Sequence, residues 1–227
     1  MVQEAIWKRL HPFLRWALIT ALAIGAIKAV SLAGPLAGLP AWDLLAAEAL
    51  LISAFLLGRR LLIGPMKVRG CGPHVETVLA TALGLGAMST LFFLAAQLGL
   101  LNRWAAWALI VAPATLSLIS SGGAVAQRAV DAEGRAALSP GEYAMVGATL
   151  FFMILTLLMA LTPPISRDAL IHHLAIPKIY IARGGLVEVP FSIYSYYPMG
   201  FNMLYMGGML ISSDITAKLL HFSAYGL

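Results

Sequence analysis

Six apolar runs and the start of a seventh follow one another along this chain, separated by glycine, proline or basic patches. They cover residues 13–33, 44–63, 75–98, 104–120, 143–161 and 199–211, with 219–227 opening the seventh. Crossing a bilayer takes roughly 20 apolar residues as a helix. Helices and closed barrels are the structures that satisfy their own backbone groups in hydrocarbon. The spacing therefore predicts an all-α, polytopic membrane protein with about six full spans and a partial seventh. Composition agrees: 60% of residues are hydrophobic and 11% charged, where a soluble domain is about a quarter charged.

The basic residues set orientation. With the N-terminus inside, ten fall on the cytoplasmic side: Lys8, Arg9, Arg15, Arg59, Arg60, Lys67, Arg69, Arg128, Arg135 and Lys218. Four fall outside: Arg103, Arg167, Lys178 and Arg183. The positive-inside rule places the N-terminus in the cytoplasm and the 162–198 loop outside. A net charge of +5 distributed this way is topological and implies no nucleic-acid partner. Cys71 is the single cysteine, so no internal disulfide forms. The first run is too long for a cleaved leader and reads as a span that stays. The last run supplies under half a crossing, which reads as a piece of a longer chain.

Three units are expected: a four-span region over 1–121, a polar cytoplasmic loop over 122–142, and a second membrane unit over 143–227. Lys28 and Glu48 fall at matching depth in the first two runs. Charges inside spans are functional candidates, although a structural ion pair is the more economical account.

The 162–198 loop carries the chemistry. Pro163 and Pro164 stop the fifth run, Ser166 can cap a following helix, and Gly184-Gly185 ends it. The expected helix spans 167–183, lies amphipathically in the membrane surface and kinks near Pro177. Asp168 in its first turn is held ionised by the helix N-terminus and can accept a proton from a hydroxyl or amine. His172 shares its face at four residues' distance. The pair supplies two ligand types for a divalent metal, short of a site. Lys178 and Arg183 can meet lipid phosphates or simply snorkel. Tyr194, Tyr196 and Tyr197 serve as interfacial anchors or stack on a sugar. Equally, Asp168 can be a plain helix-start acid and His172 a polar surface residue.

A span ending in TPP, then SRDALIHHLAIPKIYIARGGLVEVP, then YSYYPMGFNMLY and SSDITAKLLHF resembles the first outer loop of the GT-C superfamily of integral-membrane glycosyltransferases. That superfamily includes the protein O-mannosyltransferases and the aminoarabinose transferases. The resemblance covers about 143–227. It implies transfer of a sugar from a polyprenyl-phosphate carrier to a glycan, lipid or protein acceptor at the outer face of a bacterial-type plasma membrane. By that match Asp168 activates the acceptor, with His172 behind it. Lys178 and Arg183 contact the carrier phosphate, and Tyr196 and Tyr197 line the substrate. No nucleotide is needed at the site of transfer, and a divalent metal is left open. Four spans ahead of the one that leads into the acidic loop, and Asp168 without an adjacent acid, depart from the family pattern. Two other readings stand beside it: a transporter or flippase component using Lys28 and Glu48, and a non-catalytic membrane scaffold.

Overall fold

The structure is a computed structural model that describes residues 12–30, 40–68, 70–120, 139–197 and 199–227. Regular structure among these residues is helical, with no strand. In chain order the helices are α1 (Pro12–Val30), α2 (Ala41–Ile63), α3 (Pro73–Gln97), α4 (Arg103–Ser120), α5 (Pro140–Ala160), α6 (Ala175–Arg183), α7 (Gly200–Ile211) and α8 (Asp214–Tyr225). Three of them, α2, α3 and α5, are long and apolar enough to cross a membrane.

The helix starts follow local chemistry. Pro73 and Pro140 occupy first-turn positions, where a missing N–H costs nothing. Ser139 and Glu142 form a reciprocal cap: Ser139 Oγ accepts from Glu142 N at 3.3 Å and Ser139 N donates to Glu142 Oε2 at 2.7 Å. That cap moves the start of α5 to Pro140, three residues ahead of the expected 143. Asn102 caps α4, its Oδ1 accepting from Ala105 N at 2.9 Å.

At the centre α2 packs along α3. A Cβ added at Gly58 would overlap the Ala80 carbonyl, and one at Gly84 the Ala54 carbonyl. The two backbones thus touch where side chains would otherwise hold them apart, which is how helices associate when lipid is as apolar as leucine. Ser53 Oγ donates to Ile110 O at 2.6 Å and ties α4 to the pair. At the other end of α2, Arg59 Nε meets Glu76 Oε1 at 2.5 Å and Arg60 donates to Leu116 O at 2.6 Å. One apolar cluster, with Leu50, Met88, Phe92, Ile176, Leu204 and Met206 fully buried, runs from α2–α4 into α6 and α7. By contrast α5 is almost bare. Only 6% of its membrane-length window is buried, and Phe151, Phe152 and Ile154 point away from the protein.

Two expectations are corrected. The 199–211 run forms α7, whose 12 residues rise about 18 Å, short of the roughly 30 Å of a hydrocarbon core. The turn after it is held at the end of the bundle where α2 begins, since Ser212, Ser213 and Thr216 all donate to Asp43. Lys218 in turn bonds to the carbonyls of Met159 and Thr162 at the close of α5. Residues 212–218 therefore lie beside the 162–198 loop, at the same end of the bundle. From there α8 descends beside α5, with Gly226 near Met153.

The second correction concerns the loop helix. A single turn of wider π-helix covers Ala169–His173 and α6 follows from Ala175. Leu174 N reaches back five residues to Ala169 O at 2.9 Å. A proline ring collides with the carbonyl four residues earlier, here that of His173, so the break falls ahead of Pro177 rather than at it. Gly184, at φ 72°, closes α6 in the left-handed region, with Gly185 N bonded to Tyr180 O at 3.1 Å.

The expected Lys28–Glu48 pair involves a side chain outside the described residues; Glu48 Oε1 accepts from Thr20 Oγ1 on α1. Residues 121–138, with Arg128 and Arg135, also lie outside them.

Candidate functional site

The loop after α5 folds over one end of the bundle. Asp168 stands at its start, exposed, and forms no hydrogen bond or ion pair with the described residues. His172 lies beside it, close enough for the carboxylate to act on the imidazole charge. Burial lowers the His172 pKa first and the neighbouring His173 lowers it further, while Asp168 opposes both. The ring is therefore neutral at pH 7. It stacks on Tyr194 with centroids 4.4 Å apart and planes 14° from parallel. Its Nδ1 is buried without a hydrogen-bond partner.

His173, one position on, packs its ring against that of His172, centroids 4.0 Å apart, and reaches a different element. Its Nδ1 sits 3.0 Å from the Oδ1 of buried Asn202, the third residue of α7. The wide turn before Pro177 is what lets adjacent histidines clamp two different elements. Tyr194 meets Tyr197 edge-on at 5.8 Å. Deeper along α7 and α8, Tyr205 OH lies 2.5 Å from His221 Nδ1, and His221 Nε2 lies 3.1 Å from Tyr225 OH.

The cations do not gather round Asp168. Lys178 Nζ bonds Asp214 Oδ2 at 2.6 Å, so its charge is spent within the protein. The pair sits on a cleft of about 510 Å³ whose lining includes Pro163, Pro164, Ser212 and Ser213. Arg183 is exposed in the last turn of α6, where its charge complements the helix C-terminus. Tyr196 OH donates to Glu188 Oε1 at 2.8 Å, and that bond raises the phenol's pKa. Tyr197 lines a separate cavity against α3 and α6. Among the described residues no three of His, Cys, Asp and Glu approach closely enough to hold a metal ion.

Sequence reasoning missed the strongest polar junction. Asp43, buried in the first turn of α2, accepts on one oxygen from Ser212 at 3.0 Å, Ser213 at 2.5 Å and Thr216 at 2.8 Å. Ser213 Oγ meanwhile accepts from Ile215 N and caps α8. Asp43 alone reads as one more helix-start acid, and its partners lie some 170 residues away. Lys218, counted among the cytoplasmic charges, caps the open carbonyls of α5.

No family model, no curated protein and no solved structure matches this chain.

Proposed function

We propose that the chain is part of a membrane glycosyltransferase that moves a sugar from a polyprenyl-phosphate carrier to an acceptor at the outer face, with Asp168 as the catalytic base. One observation carries the reading. An unpaired, exposed carboxylate follows directly on a membrane-length helix, beside a neutral histidine, in a loop folded back by two short helices, α6 and α7. This is the order of features behind the resemblance to the GT-C superfamily.

In the reaction the Asp168 carboxylate takes the proton of an acceptor hydroxyl as that oxygen attacks the anomeric carbon. The bond from that carbon to the phosphate oxygen breaks, and polyprenyl phosphate leaves with the electron pair. Arg183 is the freer cation for the phosphate, because Lys178 is neutralised by Asp214. His172 is the secondary proton carrier. The topology that accompanies this reading has α1–α5 crossing, α8 beginning the next crossing, and the N-terminus in the cytoplasm. Moving Lys218 to the outer side leaves nine basic residues inside against five outside, which keeps the orientation.

The test compares wild-type full-length gene product with Asp168→Asn in membrane vesicles, matched for insertion, supplied with polyprenyl-phosphate sugars. Transfer should fall by about two to four orders of magnitude, the usual worth of a positioned general base. Equal transfer in the two would remove Asp168 from the chemistry. Absence of transfer in both would favour the transporter or scaffold reading.

A further inference from the structure

Where α3, α6 and the 193–196 turn meet, a cavity of about 380 Å³ opens beside the outer part of α3. Its lining includes Ser89, Thr90, Phe93, Tyr180, Ser195 and Tyr197, with no charged side chain. The hydroxyls have a definite polarity. Ser89 donates to Gly200 O, Thr90 to Gly86 O at 3.0 Å, and Ser195 to Val189 O and Ser192 O at 3.2 and 2.8 Å. With their hydrogens committed to backbone carbonyls, these three have only lone pairs left to offer a ligand. Tyr180 supplies the opposite need. Only 5% of it is exposed, and its hydroxyl has no hydrogen-bond partner among the described residues. That hydroxyl, open on the cavity, is left free to meet a partner from outside the chain.

An anion brings acceptors only and would face three sets of lone pairs. A cation would find no carboxylate. A ligand bearing several hydroxyls can donate to Ser89, Thr90 and Ser195 and accept from Tyr180, while Phe93 and Tyr197 offer ring faces to its C–H surface. The depth narrows the choice further. Thr90 and Phe93 stand seven and four residues before the outer end of α3 at Gln97, about 10 and 6 Å below it, at the edge of the hydrocarbon. We propose that this cavity binds the uncharged, polyhydroxylated headgroup of a membrane lipid, a glycoside on an alkyl tail. The site is separate from Asp168, and its occupancy is measured without turnover, so it stands or falls apart from the transferase reading.

The experiment uses the full chain in phosphatidylcholine nanodiscs and a dodecyl glucoside carrying a diazirine on its first methylene groups. Photolabelling should map to Phe93, Tyr197 and Met199. Unlabelled dodecyl glucoside should compete at concentrations where dodecyl phosphate and dodecanol do not. Tyr180→Phe and, on the exposed surface of α3, Thr90→Val should each weaken competition about fivefold, the worth of one hydrogen bond. Label scattered over the apolar surface would overturn the proposal, as would competition by the phosphate or the alcohol as good as the glucoside's. Unchanged affinity in both variants would do the same.

Discussion

The α2–α3 pair and the end of the bundle under the 162–198 loop are held together by opposite means. Between α2 and α3 the contacts are backbone against backbone at Gly58 and Gly84, with Phe55, Met88 and Phe92 filling the flanks. At the loop end the ties are polar: Asp43 with three hydroxyls, His173 with Asn202, Lys178 with Asp214, Lys218 with the end of α5. Hydrocarbon offers no hydrophobic drive between helices, so close fit is what associates them there. Near the water boundary polar groups gain direction and register from each other. The first kind of contact should be sensitive to volume and indifferent to pH. The second should be the reverse.

The largest effect should come from volume at the crossing. Gly84→Val drives two methyl groups into the Ala54 backbone, which cannot move without parting α2 from α3. We expect a loss of about 3 kcal/mol or more, read as unfolding of the purified protein in bicelles. Phe152→Ala on the bare face of α5, where the ring is 64% exposed, should cost under about 0.5 kcal/mol in the same assay. Equal costs at the two sites would break the contrast, because close fit at the crossing would then be worth no more than surface apolar area.

A smaller loss should follow Asp43→Ala. The hydroxyls of Ser212, Ser213 and Thr216 would lose their shared acceptor, and Thr216 is fully buried. A cost of about 1–3 kcal/mol is expected, concentrated at the start of α8 and visible as faster amide exchange there. The α2–α3 amides should stay protected. Asp43→Asn keeps a carbonyl oxygen for at least one donor and should lose less. If exchange quickened uniformly along the bundle, Asp43 would belong to the core and not to a separate polar clasp.

How much of this could be read from the chain follows the same division. The long helices were legible because an apolar run of membrane length states its own fate, and Gly184-Gly185 marked the end of α6 by its local geometry. Short-range signals even survived correction: Pro177 announced a break, displaced toward His173 because a proline disturbs the carbonyl four residues before it. The clasp was illegible for a physical reason. Asp43 meets Ser212 across 169 positions and Lys178 meets Asp214 across 36, and nothing near either residue encodes its partner. Residues 199–211 misled because apolarity was enough to suggest a crossing, whereas length and the Asp43 tether decide against one. Of the candidate site, Asp168 and His172 were visible as an i, i+4 pair. The stacking of His172 on Tyr194 depends on a turn closed 22 residues later in the chain.

The subtlest effect, and the one that most sharpens the contrast, is in pH. His172 is neutral in the folded loop because burial and the adjacent His173 depress its pKa below the ordinary 6.5, with Asp168 only partly restoring it. Above pH 6.5 the imidazole is neutral folded or unfolded, and titration contributes nothing. As pH falls below 6.5 the unfolded loop takes up a proton that the folded loop refuses, so the folded form loses stability until its own depressed pKa is reached. Protonation would also charge a ring stacked on Tyr194 whose Nδ1 has no acceptor. Amide exchange in α6, corrected for its intrinsic pH dependence, should therefore quicken as pH falls below about 6.5, while α2 and α3 stay unchanged. His172→Phe keeps a ring on Tyr194 and removes the titration, so its α6 exchange should be flat across that range. A variant as pH-sensitive as the wild type would free His172 of any part in holding the loop closed.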